Sequence, residues 1–70
     1  MQRIMIDPPF IKLEQLLKFG SLVSSGGEAK IIIQNGEVAV NGEVCKMRGK
    51  KLFGGEIITI ANLDFEVAVK

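Results

Sequence analysis

The hydrophobic period of this chain changes at Gly36, and that change limits the possible folds more than any other feature. Before Gly36, Leu13, Leu16 and Leu17 recur three and four positions apart, a spacing that places side chains on one face of a helix. After Gly36, apolar and polar residues alternate on both sides of Asn41-Gly42. An Asn-Gly pair favours the type I′ turn of a β-hairpin, because both central residues need positive φ. The sequence therefore predicts helices first and antiparallel strands afterwards.

Two short helices are predicted in the first half of the chain. The first covers residues 10–19, "FIKLEQLLKF", and ends at Gly20. The second begins after Ser25, because Ser25 and Glu28 have the spacing of a capping box, and it ends at Gly36. We expect the helices to form a hairpin joined by "SLVS". The apolar side chains expected to pack between them are Leu16, Leu17, Ala29, Ile32 and Ile33.

Three further strands are predicted outside the Asn-Gly hairpin. They cover residues 2–6, 56–61 and 63–69, with Asn62 in a turn. In the last strand we expect Leu63, Phe65, Val67 and Val69 to point inward and the acids Asp64 and Glu66 to point outward. The order β-α-α-β-β-β-β predicts an α+β fold, in which a two-helix hairpin packs on one side of a small, mostly antiparallel β-sheet.

The size and composition of the chain favour one small cytoplasmic domain. Seventy residues allow a single domain, residues 1–70, and 47% of them are hydrophobic. No apolar run reaches the roughly 18 residues that would span a bilayer. The opening "MQRIMIDPPF" has an acid and two prolines where an export signal needs apolar residues. The one cysteine, Cys45, excludes an internal disulfide, and we expect it to be an ordinary strand residue.

The residue types that support catalysis are scarce. There is no histidine, which removes the commonest general base and the commonest metal ligand. A single thiol without histidine forms neither a nucleophile pair nor a zinc site. Only Asp64 and Glu66 lie within two positions of each other among the acids. We therefore expect no enzyme activity, no catalytic residue, no metal and no cofactor.

Positive charge is concentrated in "CKMRGKKL", residues 45–52. Lys46, Arg48, Lys50 and Lys51 lie there without an acid, and the rest of the chain has five basic residues against eight acids. Such a cluster can neutralise phosphates, with arginine able to bind them through two hydrogen bonds. The alternative is a solvated connection between two strands, which is what charge runs usually are.

Gly26 and Gly27 fall on the first two positions of the second predicted helix. Glycine there costs about 1 kcal/mol per residue relative to alanine. Backbone N–H groups at a helix start attract anions, and the absence of side chains lets a phosphate come close. Close packing of the helix start against the preceding turn explains the glycines equally well.

Three lysines and one phenylalanine lie on the faces of the helices away from the leucines. Lys12 and Lys18 are in the first predicted helix, and Lys30 leaves the first turn of the second. Phe19 lies nearly in line with Lys12. An aromatic ring beside lysines can stack on a base, but we expect Phe19, next to a terminal glycine, to fold back onto the core.

Taken in order, these motifs resemble the small RNA-binding domain named for the fourth protein of the small ribosomal subunit, the alpha-L domain. Its pattern is a helical pair, "G-x-V-x-V-N-G", a basic loop of the type "R-R-G-K-K-L", and "G-D/E" before a strand. This chain reads "NGEVAVNGEVCKMRGKKLFGGEIITI". Within that family it is similar to the short, stand-alone bacterial YbcJ-like or YaaA-like members, which share "S-G-G-x-A-K" at the second helix.

The resemblance implies RNA binding by the helix pair together with the basic loop. Two departures remove positive charge: Met47 replaces the first arginine of the loop, and Gly26 follows the capping serine, where the larger family often has arginine. A larger ribonucleoprotein would supply the missing contacts. The residues that the resemblance indicates for RNA binding are Lys30, Asn41, Arg48, Lys50 and Lys51, with Gly26 and Gly27.

Together these features predict a monomeric RNA-binding module for structured RNA, of the ribosomal or transfer RNA type. Lysine and arginine would bind phosphates, and the helix start would bind one more. The alternative is a non-enzymatic protein-interaction adaptor with an acidic partner, and neither reading involves a membrane. The complete set of candidate RNA-binding residues is Lys12, Lys18, Gly26, Gly27, Lys30, Asn41, Lys46, Arg48, Lys50 and Lys51.

Overall fold

The computed structural model describes all residues from 1 to 70 and contains two helices and seven strands. The helices are α1 (Leu13–Phe19) and α2 (Gly26–Gln34). The strands are β1 (Gln2–Ile6), β2 (Ile11–Lys12), β3 (Val38–Val40), β4 (Glu43–Val44), β5 (Lys51–Leu52), β6 (Ile57–Ile60) and β7 (Leu63–Val69).

Five of the strands form one sheet, in the order β1-β7-β6-β3-β4. All neighbours in this sheet are antiparallel except β1 and β7, which run parallel with Gln2 opposite Phe65. The remaining strands, β2 and β5, form a separate two-stranded antiparallel sheet. With the two helices on the larger sheet, this arrangement confirms the predicted α+β fold with a mostly antiparallel sheet.

The core lies between the helices and one face of the sheet. Leu16 and Leu17 of α1 and Ala29 and Ile33 of α2 are fully buried, and Ile32 is partly buried against them, which confirms the predicted helical contact. Every buried side chain is hydrophobic. Neither helix is long and apolar enough to span a membrane. The other core residues are Ile4, Ile6, Leu13, Val23, Val38, Val40, Leu52, Ile58, Phe65 and Val67.

The predicted β3–β4 hairpin is confirmed. Val40 pairs with Glu43, and the two residues between them, Asn41 and Gly42, have φ values of 53° and 84°. The side-chain oxygen of Asn41 also accepts a hydrogen bond of 2.9 Å from the backbone N–H of Ile57. Asn41 therefore both forms the turn and fixes the start of β6.

The predicted start of the first helix was wrong. Residues 10–12 are not helical, because Ile11 and Lys12 pair with Leu52 and Lys51 as β2 and β5. The helix begins at Leu13, and the side-chain oxygen of Gln15 accepts a hydrogen bond of 3.2 Å from the Lys12 backbone N–H. Only a long-range strand partner explains why the helical pattern is interrupted there.

The capping of α2 is shared between two serines. The Ser25 hydroxyl oxygen accepts a hydrogen bond from the Glu28 N–H at 3.2 Å, as the sequence predicts. The Glu28 carboxylate accepts bonds from the backbone N–H and the hydroxyl of Ser24, at 2.7 and 2.9 Å, instead of the Ser25 N–H. The backbone hydrogen bond, followed by the hydroxyl bond, lowers the pKa of Glu28 below its ordinary value.

Three apolar side chains expected inside lie at the surface. Phe19, the last residue of α1, is 58% exposed, so the expectation that it folds back onto the core was wrong. In β7, Phe65 and Val67 are buried as predicted, but Leu63 and Val69 are exposed. These two are the first and last residues of β7.

Candidate nucleic-acid interface

The backbone of the basic loop, residues 46–51, is bound to the start of α1. The N–H of Leu13 donates to the carbonyl oxygen of Lys50 at 2.8 Å, and the N–H of Glu14 donates to that of Arg48 at 3.1 Å. Within the loop, the N–H of Lys50 donates to the Met47 carbonyl at 3.2 Å. The first N–H groups of a helix have no partner inside it. Here the loop supplies those partners, so its main chain is held in place.

The basic loop carries four cationic side chains, one of which also contacts the start of α1. Lys46, Arg48, Lys50 and Lys51 are all exposed. Arg48 is partly neutralised, because its Nη1 lies 4.0 Å from Oε2 of Glu14. The other ion pairs of the protein use Arg3 and Lys70. The cations left without an acidic partner within 4.0 Å are Lys12, Lys18, Lys30, Lys46, Lys50 and Lys51, all of them candidate site residues.

Lys12 and Lys51 lie directly opposite each other in the small sheet formed by β2 and β5. Like charges at opposed positions of a strand pair are destabilising. Part of this cost is offset at Lys51, whose Nζ lies 4.8 Å from the centre of the Phe10 ring. The pair places two positive charges side by side at the surface. A bound anion would relieve their repulsion.

The start of α2 leaves room for a ligand. An added Cβ at Gly26 would have only Lys18 Nζ within 4 Å, at 3.8 Å, and one at Gly27 would have only Ser25 Oγ, also at 3.8 Å. The N–H groups of these glycines have no acceptor within the protein. The structure therefore shows no tight packing that requires glycine. Lys18 adds a positive charge at this point, and Glu28 adds a negative one.

The remaining candidates lie around these two centres. Lys46 passes over the end of α2, since a Cβ on Gly36 would be 3.5 Å from Lys46 Cε. Lys30 is exposed on α2. Asn41 is exposed, but its side-chain oxygen is already bound to Ile57. The structure thus brings Lys12 and Lys51 together, and Lys18 and Gly26 together.

A shallow groove beside the basic loop was not anticipated from the sequence. It lies between the β3–β4 hairpin and the basic loop and is open to solvent. Phe53, Val44 and Met47 line this groove. Their side chains are 56%, 61% and 65% exposed, respectively. The sequence feature that could have indicated this groove is Phe53, an aromatic residue directly before Gly54-Gly55 and close to four basic residues.

The acidic side chains and the cysteine are dispersed over the protein. No three His, Cys, Asp or Glu side chains come close enough together to hold a metal ion. No buried side chain is polar or charged. The interface offers exposed cations and N–H groups without acceptors, and both can bind anions.

Comparison with known proteins agrees with this geometry. Residues 4–68 match the S4 domain family. The chain is 42% identical over 57 residues to the probable ribosome maturation protein RlbA of Bacillus subtilis, with 81% of this chain and 80% of that protein covered.

A solved structure is similar over nearly the whole chain. It is the solution structure of YbcJ from E. coli, which has an alpha-L motif involved in RNA binding. The TM-score is 0.73 at 30% identity, with 97% of this chain and 87% of YbcJ covered. Because the family match extends from β1 into β7 and includes the helices and the basic loop, the chain belongs to the S4 domain family.

Proposed function

We propose that residues 1–70 act as a single RNA-binding domain that recognises structured RNA. The observation that carries this proposal is the opposed pair Lys12 and Lys51. Two like charges held opposite each other weaken the small sheet, and Lys51 belongs to the basic loop, which has three further exposed cations. Such an arrangement is useful when a phosphate binds between the charges.

The relatives favour ribosomal RNA as the target over transfer RNA. YbcJ has its alpha-L motif involved in RNA binding, and RlbA is named as a probable ribosome maturation protein. A domain of the same family with a similar basic surface would bind ribosomal RNA in the cytoplasm, alone as a monomer or within a larger ribonucleoprotein. It needs no cofactor and catalyses no reaction.

Binding would depend on charge and shape, with little reading of bases. Lysines and Arg48 contact phosphates, which position a protein on RNA without specifying its sequence. The free N–H groups of Gly26 and Gly27, together with Lys18, bind one further phosphate. The proposed RNA-binding residues are Lys12, Lys18, Gly26, Gly27, Lys30, Asn41, Lys46, Arg48, Lys50 and Lys51.

A salt titration tests this proposal directly. If about four phosphates are neutralised, log K should fall against log salt with a slope of roughly −3 to −4. The measurement is anisotropy of labelled ribosomal RNA fragments from low to physiological salt, with unlabelled polyanion as competitor. Crosslinking in cells followed by RNA sequencing then identifies the target. A slope near zero would reject the proposal.

An adaptor for an acidic protein partner is the second candidate. It is favoured by the exposed Val44 and Met47, which add apolar surface beside the basic loop. An interface built on these side chains would tolerate salt and would not be displaced by polyanions. The same titration therefore separates the two functions.

A further inference from the structure

Phe53 is an exposed aromatic side chain whose position is fixed by its surroundings. Its backbone N–H donates to Oε2 of Glu56 at 2.8 Å, and that of Gly54 donates to Oε1 at 2.8 Å. One side of its ring meets Phe10, with the ring centres 5.9 Å apart and the planes tilted by 54°. Phe53 is nevertheless 56% exposed. Packing with Phe10 therefore orients the ring without covering it.

The exposed part of Phe53 lines the groove beside the basic loop. Lys50 and Lys51 line the same groove, together with the apolar side chain of Met47. Two acids are also present: Glu56 is occupied by the two N–H groups described above, and Glu43 is exposed at the rim. The groove thus combines an aromatic surface with exposed cations.

We propose that this groove binds one unpaired nucleobase, which stacks on Phe53 while Lys50 and Lys51 bind the phosphates next to it. The inference rests on the proposed RNA-binding function and extends it. Aromatic side chains beside cations bind single-stranded nucleotides in this way, because every base has a flat π-face. The target is therefore structured RNA with an unpaired nucleotide at the bound position, rather than an uninterrupted duplex.

The test uses two RNA hairpins that differ only at one bulged position, which bears either a base or an abasic sugar. Both have the same phosphates. Loss of a stacked base costs about 5- to 150-fold in affinity, so the wild-type protein should bind the base-bearing hairpin more tightly by that factor. Phe53→Leu, which keeps an apolar side chain, should remove the difference and leave affinity for the abasic hairpin unchanged. A thermal melt checks that the variant is folded.

A tryptophan at the same position gives a direct readout, because the chain has no tryptophan of its own. Phe53→Trp should bind the base-bearing hairpin and its emission should be quenched. Leu63→Trp is the matched control: Leu63 is 61% exposed and is the first residue of β7, whereas Gly54, next to Phe53, lies beside Val69 at the other end of that strand. Its emission should not change.

The outcomes distinguish failure of the stacking site at Phe53 from failure of the proposed RNA-binding function. If the wild-type protein binds both hairpins equally, or if Phe53→Leu retains the preference for the base, the stacking site is wrong while RNA binding stands. If the wild-type protein binds neither hairpin at low salt, the proposed function fails and the stacking site fails with it.

Discussion

Arg48 and Glu14 are linked through both their main chains and their side chains. The Arg48 carbonyl oxygen accepts a hydrogen bond from the Glu14 N–H at 3.1 Å, and the Arg48 Nη1 lies 4.0 Å from Glu14 Oε2. The first contact holds the loop against α1 without using any side chain. The second places a carboxylate beside the guanidinium, whereas the lysines of the loop have no acidic partner within 4.0 Å.

Replacing Lys50 and Lys51 together by glutamate should abolish RNA binding with almost no loss of stability. Both side chains are exposed, and the loop is held by backbone bonds that the substitutions retain. Exposed substitutions of this kind usually change stability by less than about 0.5 kcal/mol. RNA titrations and thermal melts of the same preparation measure both quantities.

Two double variants with neutral replacements distinguish the effect of charge in the basic loop from the effect of the protein's net charge on RNA affinity. Lys50→Gln with Lys51→Gln removes two positive charges from the groove, and Arg3→Gln with Lys70→Gln removes two from ion pairs with Glu66 and Asp7. Only the first pair should weaken binding strongly. Equal losses would mean that net charge, rather than the basic loop, determines affinity. A large drop in the melting temperature for the first pair would show that the lysine side chains are structural.

Gly27→Ala should leave the fold unchanged or stabilise it by up to about 1 kcal/mol, because alanine is the better helix former. The added methyl would meet only Ser25 Oγ, at an ordinary contact distance of 3.8 Å. RNA binding should nevertheless weaken, since the methyl obstructs phosphate approach to the helix start. Gln34→Ala, at the other end of α2, is the control and should bind normally. A destabilised Gly27→Ala that binds normally when folded would exclude a phosphate site there.

Glu28 should make the fold more sensitive to acid. Its pKa is lowered in the folded protein by hydrogen bonds from Ser24. The resulting stabilisation is complete above the ordinary pKa of glutamate and is lost as the pH falls through the lowered value. Glu28→Gln keeps an acceptor for Ser24 but does not titrate. The melting-temperature advantage of the wild type over Glu28→Gln should therefore shrink between neutral and acidic pH. A constant difference would contradict this assignment.

Asn41→Ala should destabilise the fold more than Asn62→Ala does. Both asparagines have positive φ, at 53° and 65°, so alanine is strained at either position. Only Asn41 accepts a hydrogen bond from Ile57. Loss of that bond should cost about 0.5–1.5 kcal/mol, the net contribution of a typical hydrogen bond. Denaturant titrations of the two variants measure the difference, and equal losses would mean that the Ile57 bond contributes nothing.

Features set by neighbouring residues could be predicted from the sequence. The Asn41-Gly42 turn and the Ser25 cap depend on a few adjacent residues, and both are present as expected. The apolar faces of the helices follow from spacing alone. These local signals were sufficient for the α+β class and the helical hairpin.

Features that depend on distant partners could not be predicted in the same way. The pairing of β2 with β5 shortens α1 and places Lys12 opposite Lys51, although the two residues are far apart in sequence. The spacing of apolar residues within the helix carries no information about that strand pairing. The groove at Phe53 likewise depends on a distant contact, because it forms where the β3–β4 hairpin meets the basic loop.

The parallel pairing of β1 with β7 also determines how the protein responds to mechanical force. Pulling residue 1 against residue 70 draws the two strands along each other in opposite directions, so their hydrogen bonds share the load. Pulling residue 1 against residue 62 applies the force at the same end of both strands, because Gln2 lies opposite Phe65. The hydrogen bonds between the strands then break one after another. Atomic force microscopy with these two attachments should give a clearly higher rupture force for the first. The same pair of strands would then resist force applied along the strands and separate easily when the force acts at one end. Equal rupture forces for the two attachments would show that another contact limits mechanical unfolding.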